Sequence, residues 1–474
     1  MTKNKTINIG AHSAQFADLN VKGEQMKIDG ESFYKISNVN GMRPFFMSIV
    51  SHSNHWMFIS STGGLSAGRK DSDSALFPYY TDDKITDSFE TTGSKSIFLV
   101  EKNSQTFLWE PFSMRHVSLY KISRNLYKNA FGNKVIFEEI NHDLEVSFTY
   151  EWNSTDRYGF VRKSLLSNTG TSQVKVQFID GIQNVLPFGI EQALQNSTSN
   201  LVDAYKRTEL VVGSSLAVFA LSAIIVDKAE PSEALKSNVA WSLGLDNPTI
   251  LLSSLQLDTF RRGQKVSQET DVKAEKGAYF LNSEVTLAPQ KSKEWLLVAD
   301  VNQSISDVVS ITSEINTISD LKSKILTDVE LGSEHLTELV AASDGLQKTA
   351  DGLRNVRHFS NTMFNIMRGG IFDDNYQIEK EDFVSYIEKL NKKVYRHKEA
   401  VLNALPALFK LQDLKALYQD DADKNFKRLC CEYLPLKFSR RHGDPSRPWN
   451  KFSINTRNEN DGSKILDYQG NWRD

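Results

Sequence analysis

LEVSFTYEW, residues 144–152, carries the clearest signal of how this chain folds. Apolar or aromatic side chains occupy every second position at Leu144, Val146, Phe148 and Tyr150. Because successive side chains of a β-strand point to opposite faces, this alternation predicts a strand with one face in a core and the other in water. The turn-forming residues NHD and NSTD on either side mark the ends of the strand.

Similar runs follow one another from Phe33 to Asn302, separated by turn signals such as NVNG, STGG and NTGTS. They read FFMSIVS, WMFISST, KSIFLVE, QTFLWEPF, KVIFEEI, QVKVQFIDGI and EWLLVADV. Amphipathic helices are not interleaved with these runs, which disfavours a parallel α/β sheet. The pattern predicts a large antiparallel β-sandwich over residues 1–303.

The periodicity changes near Ser304, where apolar residues begin to recur at three- and four-residue intervals. This spacing is typical of amphipathic helices and predicts a helical region over residues 304–437. Ser333–Glu334 is predicted to begin one helix, and Gly369–Gly370 to end it. A third segment, residues 438–474, is rich in Arg, Trp, Gly and Asp. The chain is therefore a β-plus-α protein of several domains.

Composition narrows the class of protein. Apolar residues make up 40% and charged residues 24% of the chain, as in ordinary globular proteins. A net charge of -3 argues against nucleic acid or an anionic membrane as partner. The longest apolar stretch, residues 214–226, is too short to span a bilayer, and the N-terminus lacks the apolar region of a secretory signal. With Cys430 and Cys431 interpreted as reduced thiols, we expect a cytoplasmic protein without a metal site.

A first candidate site is STGGLSAGRKDSDSALFPYYTDDKITDS, residues 61–88. One interpretation is a long surface loop solvated by its charges. The other is a loop that borders a sugar site, because Arg69 and the carboxylates suit vicinal hydroxyls while Tyr79 and Tyr80 suit the C–H faces of a sugar. The glycine spacing does not fit a phosphate-binding P-loop.

A second candidate site is FSRRHGDPSRPWNKFSINTRNENDGSKILDYQGNWRD, residues 438–474. Its interspersed aspartates weaken a nucleic-acid interpretation, and His442 has no second metal ligand at suitable spacing. A disordered polar tail is the simpler alternative. The two tryptophans and many planar hydrogen-bonding side chains favour an ordered polar pocket. Elsewhere no GxSxG elbow is present and LCCEY shows no activated nucleophile, so the residues alone do not locate a catalytic step.

Three stretches together resemble the N-terminal part of cellobiose and chitobiose phosphorylases, glycoside hydrolase family 94. Residues 40–88 look like that family's early strand pair and Gly-rich loop. LEVSFTYEW with GFVRKSLLSNTGTSQVKVQFIDGI, residues 159–182, looks like its sandwich strands. YQGNWRD, residues 468–474, looks like the start of its sugar-binding motif at the mouth of a helical barrel.

The resemblance implies a fold and a different role for each domain. It implies a super-sandwich of the galactose-mutarotase type, used for packing and homodimer contacts, then a helical linker and the start of an (α/α) barrel. In the barrel an Asp acts as general acid while phosphate or water attacks the anomeric carbon from the opposite face with inversion. The general acid is expected beyond residue 474, so this chain alone is expected to be inactive. Inorganic phosphate is the implied co-substrate, and no other cofactor is expected.

The resemblance also implies substrate contacts in the third segment. Arg473 and Asp474 would bind hydroxyls of the glycosyl unit, and Trp472 would supply an apolar face. The remaining expected contacts to the oligosaccharide are Asp444, Arg447 and Trp449.

Two other classes of function stay open on the residues alone. The chain could serve as a non-enzymatic carbohydrate-binding or assembly module. A mutarotase-like epimerase would need a His and a carboxylate on sandwich strands, and the sequence gives no evident partner for His52, His55 or His116.

Overall fold

The computed structural model describes residues 6–16, 20–195, 200–222, 236–342, 345–346, 349–369, 371–372, 377–433, 436–437 and 458–463. The chain divides into two compact units, Met1–His335 and Leu336–Asp474. The first unit contains the long strands, and the second contains mostly helices.

The strands of the first unit alternate with short turns, as the repeated turn signals predict. In chain order they are β1 (Asn8–Ile9), β2 (His12–Ser13), β3 (Lys22–Ile28), β4 (Glu31–Ser37), β5 (Phe46–Ile49), β6 (His55–Ser60), β7 (Leu65–Arg69), β8 (Ala75–Phe77), β9 (Gly93–Lys102), β10 (Gln105–Trp109), β11 (Ile122–Asn129), β12 (Val135–Asn141), β13 (Val146–Thr155), β14 (Gly159–Asn168), β15 (Val174–Val185), β16 (Lys206–Leu210), β17 (Ala217–Leu221), β18 (Lys236–Leu243), β19 (Thr249–Leu251), β20 (Asp271–Lys273), β21 (Gly277–Leu287) and β22 (Ser292–Ser304). Each apolar run quoted from the sequence contributes a strand.

Three sheets organise most of these strands. Within the described residues the largest has eleven strands in the order β20-β16-β17-β18-β22-β14-β13-β12-β11-β4-β3. A five-stranded sheet has the order β10-β9-β15-β21-β19, and a four-stranded sheet has the order β5-β6-β7-β8. The strands pair antiparallel, mostly with their neighbours in sequence, as hairpins do. The prediction of a large antiparallel sheet domain is confirmed.

The main core lies between the eleven-stranded and five-stranded sheets. The ring centroids of Phe148 on β13 and Phe98 on β9 are 4.9 Å apart, and those of Trp295 on β22 and Phe178 on β15 are 4.8 Å apart. Such aromatic pairs add to the stabilisation from burial of apolar area. The residues whose alternation predicted the strand are buried, as expected: Leu144, Val146, Phe148 and Tyr150.

The last two helices of the first unit cover part of the opposite face of the largest sheet. The first unit holds α1 (Asp82–Asp87), α2 (Gln192–Gln195), α3 (Asn200–Tyr205), α4 (Leu257–Arg261) and α5 (Ile305–Thr317), and α6 (Leu321–Ala341) begins in it. Helix α6 places Leu321, Ile325 and Val329 in one cluster with Trp241 and Val298 of the sheet. The three- and four-residue spacing of these α6 residues is the amphipathic pattern that the sequence shows. Ser333–Glu334, predicted to begin a helix, lies inside α6, so that prediction was wrong.

Residues 61–88 are not the long loop predicted from their glycines and charges. They form β7, β8 and α1 with short connections. Strand β7 pairs with β6 on one side and β8 on the other, and its residues Leu65 to Gly68 are buried. Gly68 is required there, because a Cβ would lie 2.5 Å from Trp56 and 2.4 Å from the Ser74 carbonyl oxygen. Gly68 therefore serves close strand packing rather than loop flexibility.

The second unit is built from short helices around a separate core. Its elements are α7 (Gly352–Gly369), β23 (Ile371–Phe372), β24 (Gln377–Glu379), α8 (Lys380–Leu390), α9 (Lys392–Asn403), β25 (Leu408–Lys410), α10 (Leu411–Tyr418), α11 (Lys424–Glu432) and β26 (Leu436–Lys437). Helix α7 ends at Gly369, as predicted. The core is apolar and includes Phe383, Ile387, Phe409 and Phe426. The predicted start of an (α/α) barrel stays a prediction.

Polar contacts fix the ends of these helices. Asn391 begins α9 by accepting the backbone N–H of Val394 at 3.1 Å. The turn at residues 458–463 docks on the same helix start, where the backbone N–H of Lys392 donates to the Glu459 carbonyl at 2.8 Å.

Both cysteines are free thiols, and burial raises the pKa of Cys430 to about 12, so it is not an activated nucleophile. None of the described helices has the length and apolarity to cross a membrane.

Candidate carbohydrate site in the sheet unit

The substrate contacts expected from the sequence all fall outside the described residues. These are Asp444, Arg447, Trp449, Trp472, Arg473 and Asp474. Their assignment stays a prediction, and the described residues form a candidate site in a different part of the chain.

A cavity of about 210 Å³ opens in the first unit, beside the eleven-stranded sheet. Its walls come from β11 and β12, from the turns after β4 and β6, and from the segments before β9 and after β10. The lining residues combine aromatic and planar polar side chains: Val39, Asn40, Met42, Pro44, Ser61, Thr62, Phe89, Phe112, Met114, Arg124, Asn125 and Phe137. Concave sites of this mixed character are where proteins usually bind small molecules.

A smaller recess of about 20 Å³ adjoins this cavity and shares Thr62, Phe89 and Phe112 with it. The recess is lined by more polar groups, among them Glu90 and Lys95. The two spaces therefore adjoin at these three residues, and the charged side chains Glu90 and Lys95 line the recess only.

Glu139 holds the walls of the cavity together. This residue is only 1% exposed, and its carboxylate accepts hydrogen bonds from three groups. The indole Nε1 of Trp109 donates to Oε1 at 2.8 Å, while the Phe112 N–H and Arg124 Nε donate to Oε2 at 2.7 Å each. Because a buried carboxylate is stable only when its oxygens are satisfied, these bonds fix all three partners.

Phe112 has a backbone conformation that large residues avoid. Its φ angle is +63°, in the left-handed region that costs a non-glycine residue about 1–3 kcal/mol. The bond from its N–H to Glu139 holds this conformation, and its ring lies edge-on to Tyr150 with centroids 5.0 Å apart. The strained backbone directs an aromatic ring to the junction between cavity and recess.

The recess is bordered by a network of carboxylates and cations. Lys95 lies 2.7 Å from Glu90 and 3.1 Å from Glu110, and Arg261 Nε donates to Glu110 at 2.8 Å. Burial raises the pKa of Glu90, but Lys95 and hydrogen bonds from Met114 N–H and Ser113 outweigh it, so the pKa lies below its ordinary value.

The second carboxylate of this network behaves in the same way. Burial raises the pKa of Glu110, while Arg261 and Lys95 lower it by more. Glu90 and Glu110 are therefore ionised at neutral pH, in a state that accepts hydrogen bonds and cannot donate a proton.

A fully buried ion pair lies behind the recess. Arg162 Nη1 and Nη2 donate to the two oxygens of Asp180 at 2.7 and 2.9 Å, and neither side chain is exposed. Ser96, which lines the recess, donates to the same carboxylate at 2.6 Å, and Trp295 Nε1 donates to it at 2.7 Å. With the hydroxyl of Ser164, five donors contact the Asp180 carboxylate, which is therefore fully hydrogen-bonded and holds Ser96 in the wall of the recess.

The sugar-loop hypothesis for residues 61–88 agrees with this cavity only in part. Ser61, Thr62 and Gly63 line the cavity or its recess. Arg69 lies elsewhere and forms an ion pair with Asp300 at 2.8 Å. Tyr79 packs edge-on against Trp56, with centroids 5.4 Å apart.

The structure also shows a carboxylate next to one histidine, a contact that the sequence did not reveal. His116 Nε2 lies 3.8 Å from Glu110 Oε1, which corrects the expectation that His116 lacks a partner. That carboxylate is already bound by Lys95 and Arg261. His55 is buried against the Phe160 ring, and the His52 ring is 5.1 Å from His335. Over the part of the chain that the structure describes, no cluster of His, Cys, Asp and Glu is arranged to hold a metal ion.

In a comparison with known protein families, residues 372–435 match glycoside hydrolase family 149 insertion domain 1. This span contains α8 to α11 and the hydrophobic core of the second unit. The match assigns the segment to a kind of domain found in carbohydrate-active enzymes. The match confirms the predicted resemblance to carbohydrate-active enzymes. No curated protein sequence matches the chain.

Solved structures resemble the chain only distantly. A bacterial glucoamylase complexed with acarbose is 9% identical with a TM-score of 0.40, over 72% of this chain and 46% of its own. A protein assigned as a kojibiose phosphorylase, from the human microbiome, is 10% identical with a TM-score of 0.31, over 74% and 40%. A protein assigned as an aldose 1-epimerase from Klebsiella pneumoniae is 11% identical with a TM-score of 0.31, over 62% and 91%. The chain thus spans about half the length of the glucoamylase that it matches.

Proposed function

We propose that this chain is the N-terminal, non-catalytic region of a carbohydrate-active enzyme that cleaves glycosidic bonds of oligosaccharides by inverting phosphorolysis or hydrolysis. The observation that carries the proposal is the match of residues 372–435 to an insertion domain of a glycoside hydrolase family, in a chain that begins with a large antiparallel sheet unit. The resemblance of residues 40–88, 144–152, 159–182 and 468–474 to cellobiose and chitobiose phosphorylases supports the phosphorylase type.

The carboxylates beside the cavity support a non-catalytic role for this part of the sheet unit. An inverting enzyme needs a carboxylic acid with a raised pKa that protonates the leaving oxygen, opposite the attacking water or phosphate. Beside the cavity, Glu90 and Glu110 have lowered pKa values and bind cations. Glu139 accepts hydrogen bonds from Trp109, Phe112 and Arg124, which occupy both of its oxygens. In this proposal the general acid belongs to a barrel outside these 474 residues.

The third segment supplies the sugar contacts in this proposal. Arg473 and Asp474 bind hydroxyls of the glycosyl unit, Trp472 covers its apolar face, and Asp444, Arg447 and Trp449 complete the site. Bidentate Arg and carboxylate groups suit vicinal hydroxyls, and an indole suits the C–H face. Inorganic phosphate is the co-substrate of the phosphorolytic reaction, and no organic cofactor is needed. The proposal includes homodimer contacts through the sandwich and a cytoplasmic location.

The test is a turnover assay on a panel of α- and β-linked disaccharides, with and without phosphate. The protein that carries this chain is expected to release a monosaccharide and a sugar phosphate, while the 474-residue chain alone yields no product. Product formed in the absence of phosphate would show that the reaction is hydrolysis. Product from the 474-residue chain alone would overturn the non-catalytic assignment.

A second candidate is a non-enzymatic carbohydrate-binding or assembly module. The cavity lined by Phe89, Phe112, Phe137 and Arg124 favours this alternative, because it offers binding groups without a described proton donor. The turnover assay distinguishes the two candidates. A protein that binds sugars but cleaves no disaccharide of the panel is a binding module.

A further inference from the structure

We infer that the cavity of the sheet unit is a binding site for one neutral sugar ring, distinct from the site at residues 438–474. The inference rests on the proposed function for its class of ligand, since the protein is taken to work on carbohydrates. The place and the chemistry of the site come from the residues around the cavity.

The cavity offers apolar faces of the kind that sugar rings cover. Three phenylalanines line it, at Phe89, Phe112 and Phe137. Phe137 is 2% exposed and lies parallel to Tyr150, with centroids 4.9 Å apart, so its position is fixed from behind. A pyranose presents patches of C–H bonds that pack on such rings, whereas a fully polar ligand gains nothing from them. The aromatic wall therefore selects a ring with at least one apolar face.

Two polar groups of the cavity retain hydrogen-bonding capacity. The side-chain oxygen of Asn40 is buried, and no donor among the described residues contacts it. Leaving such an acceptor without a donor costs about 1–3 kcal/mol, which a ligand hydroxyl would recover. Arg124 uses Nε on Glu139 and Nη2 on the Ser113 carbonyl at 2.7 Å each, while its described contact at Nη1 is the Met114 sulfur at 3.9 Å. Nη1 is therefore available to donate.

The charge balance indicates a neutral ligand. The positive charge of Arg124 is met by Glu139 at 2.7 Å, and the other polar residues of the wall, Asn40, Ser61, Thr62 and Asn125, are neutral. An anion would gain little net attraction from a guanidinium that is already paired. A hydroxyl, which can both donate to Asn40 and accept from Arg124, matches the groups present.

The site is organised before any ligand arrives. Glu139 fixes Arg124 and the Phe112 backbone at once, and Phe112 is held with its φ angle at +63°. A rigid wall avoids the ordering cost of binding, so a small ligand with few contacts can still be bound. A cavity of about 210 Å³ lies below the range of about 300–1,000 Å³ of sites for drug-sized ligands, which favours one ring over a chain of several.

The experiment is saturation-transfer NMR on the complete 474-residue chain with glucose, galactose, N-acetylglucosamine and cellobiose, followed by titration of the best probe. We expect transfer to the ring C–H protons of at least one sugar. Asn40→Ala should weaken that binding at least tenfold without lowering the unfolding midpoint, because it breaks no described bond of Oδ1 and removes a buried acceptor that no described donor contacts. Arg124→Met should abolish binding, and Arg115→Met, the same change at a neighbouring exposed arginine, should leave it intact.

The outcomes separate this inference from the proposed function. No transfer from any sugar, or transfer unaffected by Asn40→Ala, would overturn the site. Displacement of the sugar by inorganic phosphate at equal concentration would also overturn it, since the site would then prefer an anion. Turnover by the protein that carries this chain, without sugar binding at this cavity, would refute this inference alone. Binding without turnover would instead refute the enzyme proposal.

Discussion

Glu139 Oε2 accepts both the Arg124 Nε–H and the Phe112 N–H at 2.7 Å, so one buried carboxylate oxygen positions a cation and a strained backbone on the same cavity. The two side chains of this ion pair are almost completely buried. The relationship joins a feature of the fold, the pairing of β11 with β12, to the chemistry of the cavity.

Glu139→Gln tests that relationship. The amide keeps the shape but loses the charge, and its NH₂ group faces at least one of the three donors, so we expect a loss of about 3 kcal/mol in the free energy of unfolding. Urea unfolding followed by tryptophan fluorescence measures it. The control is Glu284→Gln, a half-exposed carboxylate paired with Lys175 at 3.1 Å, whose midpoint should stay unchanged. Equal effects of the two variants would show that Glu139 does not hold the cavity walls.

The buried pair Arg162–Asp180 is expected to behave as one unit. Asp180→Asn and Arg162→Met should each cost about 3–5 kcal/mol, because each leaves the other group buried without its partner. The double variant should cost clearly less than the sum of the two. A double-mutant cycle by urea unfolding gives the coupling energy, with Asp246→Asn as an exposed control. Additive losses would show that the two side chains are not coupled.

The raised pKa of the buried Asp300 carboxyl predicts a specific pH dependence of the protein's stability. Burial raises the pKa of this carboxyl from its ordinary 3.8 to about 6, despite its ion pair with Arg69. The folded state thus holds the proton more tightly than the unfolded state. The stabilisation is complete below pH 3.8 and is lost as the pH rises through 6.

The variant Asp300→Asn removes this titration. Between about pH 4 and about pH 7 the wild type should therefore lose about 2 kcal/mol of unfolding free energy relative to Asp300→Asn. Urea unfolding of both proteins at several pH values measures the difference. A difference that is constant with pH, or that changes with the opposite sign, would contradict the raised pKa.

Phe426→Ala tests the core of the segment that matches the glycoside hydrolase insertion domain. Phe426 on α11 is fully buried beside Phe383 and Leu429, and the Lys398 ammonium lies 5.1 Å from its ring centre. Removing the ring should cost about 3–5 kcal/mol and lower hydrogen-exchange protection across residues 377–433. Asn425→Ala, at the exposed neighbouring position, is the control and should leave protection unchanged.

Local periodicity predicted the strands well, because side-chain alternation is a property of the strand itself. Leu144, Val146, Phe148 and Tyr150 all face the core. The same argument placed the intervening residues in water, and there it was wrong for Ser147 and Glu151, which are also buried. Alternation in sequence reports one face of a strand and does not reveal what covers the other.

The cavity could not be predicted, since its walls come from distant parts of the sequence. Asn40, Phe89, Phe112, Arg124 and Phe137 meet only through the pairing and packing of strands, and no short motif joins them. One signal was available in retrospect: Glu139 is a charged residue in the apolar run KVIFEEI. A carboxylate facing a core requires donors, and those donors line the site.

The anomeric configuration of the first product tests whether the protein that carries this chain cleaves glycosidic bonds with inversion. The measurement is ¹H NMR of the reaction in phosphate buffer, started with a β-linked disaccharide and recorded before mutarotation. We expect the first product to be an α-configured sugar phosphate, or an α-configured free sugar if water is the nucleophile. A β-configured first product, or no product from any disaccharide of the panel, would refute the proposed reaction.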